Sequence, residues 1–446
     1  MKTRSNRSPL LKELLVVVPH SGIAIPAEIR LDTLSVQFGD LIRHVDWYTN
    51  WLYEFRDILA NQQIVFPYCS LIVEANRHPE VLDDAVPLRD VNGEPVYKPG
   101  AEPGQDMRRL LAHKYLVDFH KRIEQAIASG AEFLLDGHST VAARGVAENQ
   151  IDLMNFQHSK LDNGPLYYSP AAYIESYAEE LQKRLPDVKV TVNQSEYYTV
   201  YGHVCAEHSV NSFGRVGRRV PAIIQETCER LYKNADRTPN VEAIDRLRRA
   251  FAESIRETIH RVRDLKKPAR TIRLPSLRQT YDFDCGVKAL QTVFAYYGTE
   301  IREDKLLLEL EADRQEGTSV GNMIAAAEAR GFKVEAGEHW SVEDVKRYVD
   351  QGHPVIVLLQ AWAEEVKSLE DWRRDWDDGH YAIVMGYNEN VLFFEDPASF
   401  HRTWLREKEF LARWHDLDTV NGRKWVQFGM VLLGKESAGA ALMHME

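Results

Sequence analysis

Over its first half the chain alternates short apolar runs with longer stretches of helical period. Residues 14–18, 71–75, 133–135, 188–192 and 222–225 have strand length, and several are apolar throughout, as strands covered on both faces are. Between them, 45–59, 113–127 and 170–184 carry apolar residues three and four apart; in 113–127 these are Leu116, Phe119, Ile123 and Ile127. Such alternation predicts an α/β domain with a mostly parallel sheet and helices on both faces. In sheets of this kind ligands gather at the carboxyl ends of the strands.

The period then changes. Residues 242–267 form a long, charge-rich helical pattern ending in Lys-Lys-Pro, and Pro268 disfavours helix at the residue before it. This places a boundary at 268, with domains over 1–268 and 269–446. Beyond it, 285–297 reads as a buried helix, with Val287, Leu290, Phe294 and Tyr297 on one face and Gly298 as its stop signal. Helical patterns at 306–310, 320–330 and 342–350 precede strand patterns at 355–359, 381–385 and 391–394, joined by turn residues such as Asn388 and Asn390. Helices first and antiparallel strands after predict an α+β domain.

Composition sharpens this division. Through position 270 the 446-residue chain has 35 basic against 36 acidic residues, so most of the net charge of −12 falls beyond it, where 20 face 31. With no basic block there is no electrostatic footprint for nucleic acid, and no nucleic-acid partner is expected. The apolar run at 14–18 is shorter than a signal peptide's and follows Lys12 and Glu13. No stretch approaches the roughly 20 apolar residues that cross a bilayer, so the expectation is a cytoplasmic chain without a membrane partner. Four cysteines, none in a CxxC pair, exclude a disulfide framework.

Three chemistry-bearing side chains of the first domain fall at predicted strand ends: His20 in Pro-His-Ser-Gly (19–22), His138 in Asp-Gly-His-Ser (136–139), and Glu226. A catalytic zinc takes about three N or O ligands, keeps one position open, and works beside a carboxylate that moves protons. His20, His138 and one carboxylate suit the ligands, and Glu226 suits the base. His203 and His208 read as loop side chains that either are solvated, the favoured reading, or shape the substrate pocket.

These residues, with His-Val-Asp-Trp-Tyr (44–48), Val-Glu-Ala-Asn-Arg (73–77), Asn-Gly-Glu-Pro-Val-Tyr (92–97) and Ile-Gln-Glu-Thr-Cys (224–228), recur in the order of the N-formylglutamate amidohydrolase family, which residues 14–232 resemble. The resemblance implies a zinc carboxypeptidase-like fold, His20, Asp46 and His138 as zinc ligands, Glu226 as general acid/base, and Arg77 as a clamp for a substrate carboxylate. A guanidinium suits that role because its planar fork meets a carboxylate at two points. His44 competes with Asp46, but on a helix the two point about 200° apart, and the family pattern carries the acid. Relatives show a Gly-Gly loop and an Arg after an Asn on the fourth strand. Here Asn193, a substrate-binding candidate, is followed by 194–203 without the glycine pair. The expected substrate is therefore an N-acyl or peptidyl amino acid other than formylglutamate.

The second domain offers Arg-Gln-Thr-Tyr-Asp-Phe-Asp-Cys-Gly (278–286) opening a helix, then Asp-Gly-His-Tyr (378–381) and Glu-Asp-Pro-Ala (395–398). A helix N-terminus stabilises a thiolate at Cys285, His380 can take and return its proton, Asp396 can fix the imidazole tautomer, and Gln279 can face the developing oxyanion. Residues 275–400 resemble the bacteriocin-processing cysteine peptidases, papain-like domains that cut leader peptides after Gly-Gly. The resemblance implies those four roles. The sequence-level reading is a bifunctional amide-bond hydrolase: a zinc amidohydrolase fused to a cysteine peptidase that takes peptides. Its alternatives are a single zinc amidohydrolase whose second domain presents peptide, and a non-catalytic peptide-binding protein.

Overall fold

The computed structural model describes residues 11–42, 45–142, 146–157, 166–194, 203–215, 220–314, 317–363, 367–418 and 422–438. The chain divides into two compact units, Met1–Val262 and Arg263–Glu446.

The first unit is built on six strands: β1 (Leu14–Val18), β2 (Gln62–Val65), β3 (Phe133–Thr140), β4 (Gln150–Met154), β5 (Lys189–Val192) and β6 (Ala222–Cys228). Their order across the sheet is β2-β1-β3-β6-β4-β5. Every residue of β1 and β6 is buried, as is β3 through His138, which is what a continuous apolar run between two covering layers produces. All neighbours pair in parallel except β4 and β6, which are antiparallel. That one inversion turns β4 and β5 around, so their carboxyl ends point away from those of β1, β3 and β6.

Three local expectations fail for physical reasons. Residues 71–75 are not a strand; they form turns whose N–H groups at Ile72 and Val73 both bond the Cys69 carbonyl, and the apolar run reflects burial of Ile72, Val73 and Ala75. A short apolar run does not distinguish a strand from a buried turn. The pattern at 45–59 yields two single turns, Thr49–Leu52 and Arg56–Leu59, with left-handed residues just outside them, Tyr48 at φ 69° before the first and Ala60 at φ 51° after the second. His203 is buried, and His208 sits on the helix Val204–Arg215 rather than in a solvated loop.

In the second unit the strands are β7 (Lys333–Gly337), β8 (Val355–Gln360), β9 (Gly379–Tyr387), β10 (Val391–Glu395), β11 (Thr403–Arg406) and β12 (Gly429–Leu433), ordered β7-β12-β8-β9-β10-β11. All pairings are antiparallel, and Arg270–Thr271 adds two residues against β9. Ser341 and Asp344 cap the helix Val342–Asp350 reciprocally. The helix Cys285–Tyr296 lies against β9, and Gly286 makes this possible: a Cβ there would sit 2.6 Å from Thr318 and 2.9 Å from Tyr381.

Candidate active sites

In the first unit, β1 delivers His20 two residues past its end, β3 carries His138, and β6 carries Glu226 in register beside His138. In-register neighbours leave a sheet on the same face. Asp46 joins them from the following segment: its N–H bonds the His20 carbonyl at 3.2 Å, and its carboxylate accepts the Ser139 N–H at 3.0 Å. Tyr48, two residues on, holds a φ that costs a bulky residue about 1–3 kcal/mol, the kind of strain that collects at functional sites. Beneath, the Tyr53 hydroxyl donates to the His138 carbonyl at 2.8 Å, and its ring lies so near Gly137 that a Cβ there would sit 2.7 Å from it.

Three donors converge. His20 Nδ1 and His138 Nδ1 are 3.2 Å apart, and Asp46 Oδ2 lies 3.7 and 3.8 Å from them. A triangle with these sides has a centre about 2 Å from each corner, matching zinc–nitrogen and zinc–oxygen bonds of roughly 2.0–2.2 Å. Each imidazole is also backed on its far side. His20 Nε2 meets Glu74 Oε1 at 2.5 Å, and His138 Nε2 meets Asp136 Oδ1 at 3.0 Å. Carboxylates in that position fix the tautomer of metal-ligating histidines and raise their basicity. Burial works against the charge on Glu74, but His20 and Arg77 outweigh it and hold the carboxyl down to about 2.

Asp136, His138 and His203 form a second candidate group. It fits a cation poorly. The Asn76 Nδ2 donor is 3.3 Å from both His138 Nε2 and His203 Nδ1, and its orientation is fixed because its Oδ1 accepts the Cys205 N–H at 2.8 Å. An amide N–H aimed at the centre of a site repels a cation.

Glu226 lies between His138 on β3 and Asp152 on β4. It is buried, its Oε2 has no hydrogen-bond partner among the described residues, and burial together with Asp46, Asp136 and Asp152 pushes its carboxyl well above the usual range. Arg77 is half-buried beside Glu74, with Nη1 on the Asn76 carbonyl at 2.8 Å. Asn193 is not brought to this group. The antiparallel β4–β6 pairing places it two strands away from Glu226, toward the amino end of β6, with its amide engaged by Asn155 at 2.8 Å. Its expected place beside the other candidates required all strand ends to share one side. His44 and residues 195–202 lie outside the described residues.

In the second unit Cys285 opens its helix, half-buried, next to the buried His380 on β9. His380 Nε2 meets Asp396 Oδ1 at 2.8 Å, and the Cys285 thiol lies close enough to the same imidazole to raise its pKa. Asp396 is held in turn by the Ala398 N–H at 3.0 Å and the Thr403 hydroxyl at 3.1 Å. Burial lowers the affinity of His380 for a proton, yet Asp396 and Cys285 outweigh it and raise its pKa to about 10. Gln279 stands on the loop before the nucleophile, its N–H on the Pro397 carbonyl at 3.0 Å and its Nε2 on the Tyr281 carbonyl at 2.9 Å.

Glu74, Asp136, Asn76 and Tyr53 are the residues that sequence reasoning did not single out. For Asp136 a signal existed: positions 136 and 138 of a strand share one face.

Fold and geometry together define a class, a two-domain protein that pairs a histidine–carboxylate α/β unit with a Cys–His–Asp α+β unit. Residues 12–233 match the N-formylglutamate amidohydrolase family model, and residues 273–418 match that of the peptidase C39 family. The chain thus joins an N-formylglutamate amidohydrolase-family region to a C39-family peptidase region, both from families that hydrolyse C–N bonds. A lactococcin-A transport/processing ATP-binding protein of Lactococcus lactis subsp. lactis is 30% identical over 137 residues, which is 30% of this chain and 17% of that protein's length. Among solved structures, an N-formylglutamate amidohydrolase from Ralstonia eutropha JMP134 aligns at 16% identity and TM-score 0.44, covering 58% of this chain and 96% of that one. A double glycine motif protease from an AMS/PCAT transporter, crystallised with its leader peptide, aligns at 16% identity and TM-score 0.26, covering 37% and 94%. No helix among the described residues is long and apolar enough to cross a membrane.

Proposed function

We propose that the chain is a bifunctional amide-bond hydrolase, with residues 1–268 acting on N-acyl or peptidyl amino acids and residues 269–446 cutting peptides by a thiol mechanism. The observation that carries the first half is the pair of imidazoles that turn Nδ1 toward Asp46 while carboxylates, half-buried Glu74 and buried Asp136, stand against Nε2. Two nitrogens and one carboxylate oxygen are a donor set for zinc, which when bound supplies Lewis acidity to the amide carbonyl. His20, Asp46 and His138 hold it. Glu226, whose carboxyl burial and the neighbouring acids push above the usual range, takes a proton from water as the carboxylate and passes it to the leaving amine. Arg77 grips the free carboxylate of the substrate.

In the second unit the raised pKa of His380 favours an imidazolium at neutral pH, poised beside the Cys285 sulfur. Cys285 attacks the scissile carbonyl, His380 returns its proton to the leaving amine, and Asp396 holds the ring throughout. Gln279 reaches the oxyanion by exchanging its bond to the Tyr281 carbonyl for one to substrate.

The test is one hydrolysis screen over N-acyl amino acids and peptides, run in parallel on wild type, His138→Ala and Cys285→Ala. The expected result is that each substitution removes one substrate class and spares the other. Loss of neither class, or of both together, would sink the assignment.

A further inference from the structure

Glu395 is the last residue of β10 and directly precedes Asp396, yet no role in the chemistry falls to it. Its carboxylate is only 1% exposed. Oε1 accepts from Arg278 Nη1 at 2.6 Å and from the Ser276 hydroxyl at 2.9 Å, and Oε2 accepts from Arg402 Nε at 3.2 Å. Arg278 is braced locally as well, with Nη2 on Ser276 Oγ at 2.9 Å and Nη1 on the Leu277 carbonyl at 2.8 Å. One residue further on, the Gln279 N–H bonds the Pro397 carbonyl. The segment 276–279 is therefore fastened to 395–397, the stretch that carries Asp396. Its other end is fastened too. Asp284, buried at the start of the nucleophile helix, accepts the Thr280 and Tyr281 N–H groups, both at 3.2 Å. The loop between these anchors holds Gln279 and leads straight into Cys285.

We propose that Glu395 is a positioning residue of the peptidase site, setting the loop 276–284 in register with Asp396 through Arg278 and Ser276 so that Gln279 stands ready for the oxyanion. This rests on the reading of the second unit as a thiol peptidase. A buried carboxylate with three donors suits that role, because breaking one partner of such a pair leaves an uncompensated charge and the loop then has one low-energy place to sit. The His380–Asp396 bond and the thiol contact do not pass through Glu395, so the clamp bears on the oxyanion side and not on activation of the nucleophile.

The experiment follows an internally quenched synthetic peptide containing Gly-Gly, alongside alkylation of Cys285 by iodoacetamide. In Glu395→Gln, kcat is expected to fall by about 10- to 100-fold, as displacement of a catalytic group by an ångström can cause, with KM little changed. The rate and pH profile of alkylation should stay those of wild type. Arg278→Lys keeps the charge and loses the fork, and should give a smaller fall in kcat. Should Glu395→Gln not fold, the double variant Glu395→Leu, Arg278→Met removes both charges of the pair and should fold, alkylate normally and turn over slowly. An unchanged kcat overturns the proposal, and so does a parallel loss of alkylation, which would place Glu395 in support of the dyad itself. A wild type that alkylates but cleaves no peptide overturns the peptidase reading and this inference with it.

Discussion

Both candidate sites share one device, and on the proposed reading they put it to different chemistry. In each, a carboxylate stands 2.5–3.0 Å from imidazole Nε2: half-buried Glu74 on His20, and buried Asp136 and Asp396 on His138 and His380. What stands opposite differs. In the first unit two such imidazoles face each other and a third donor, Asp46, and three convergent lone pairs suit a cation. In the second a single imidazole faces a thiol, and transfer of one proton makes an ion pair. On the proposed reading the backing acid fixes orientation in both cases, while the group across the gap selects the reaction.

The sharpest way to break that comparison is to remove the opposing group. Cys285→Ala should lower peptide hydrolysis by about 10³-fold or more, because nucleophile and base act as a unit, while N-acyl hydrolysis and metal content stay unchanged. His138→Ala should do the reverse, and metal content by elemental analysis reads it without a substrate. Next in size is the backing acid of the second unit. His380 has its pKa raised to about 10, so the imidazolium is present below that pH and lost as the pH rises through it. Asp396 is the largest cause opposing burial, so Asp396→Asn should cut kcat strongly and move the alkaline limb of the pH–rate profile to lower pH. An alkaline limb that stays in place would mean that Asp396 does not govern the proton on His380.

Sequence pattern reveals the centre of each fold better than its edges. β1, β3 and β6 are legible because burial on both faces leaves an uninterrupted apolar run, and the helix at Cys285 because its apolar face repeats every three to four residues. β2 and β4 are not, because Gln62, Gln63, Gln150 and Asp152 interrupt any apolar period. The orientation of β4 is a long-range fact that no local pattern contains, and it is what removes Asn193 from the group around Glu226. His20, Asp46, His138 and Glu226 come together, as do Cys285, His380 and Asp396. Their supports stay hidden for a different reason. Tyr53 bonds the His138 carbonyl across 85 positions and Arg278 bonds Glu395 across 117, with nothing local to announce either contact.

A smaller effect sharpens the comparison from the other side. If Glu74 and Asp136 orient ligands in the way that Asp396 orients a base, Glu74→Gln and Asp136→Asn should weaken zinc binding by about 10- to 100-fold and leave alkylation of Cys285 untouched. Competition against a chelator measures this directly. Unchanged affinity would show the two carboxylates to be core ion pairs and the shared device to be coincidence.

The smallest expected effect comes from the charge that divides the two halves. Beyond position 270 acidic residues exceed basic ones by 31 to 20, so the peptidase half should take basic peptides a few-fold faster than acidic ones at low ionic strength. Part of that field titrates close to the site. Asp416 lies against Gly379, next to His380, and burial, reinforced by Asp418 and Asp375, raises its carboxyl pKa to about 6. A raised carboxyl is neutral below its pKa and charged above it. The preference should therefore grow as pH rises from about 5 to 7, vanish near 1 M salt where the screening length is about 3 Å, and lose its pH dependence in Asp416→Asn. Measuring kcat/KM for a matched pair of peptides, one basic and one acidic, across that grid tests the point. A preference that ignores salt would assign it to direct contacts in the cleft and not to the acidic half as a whole.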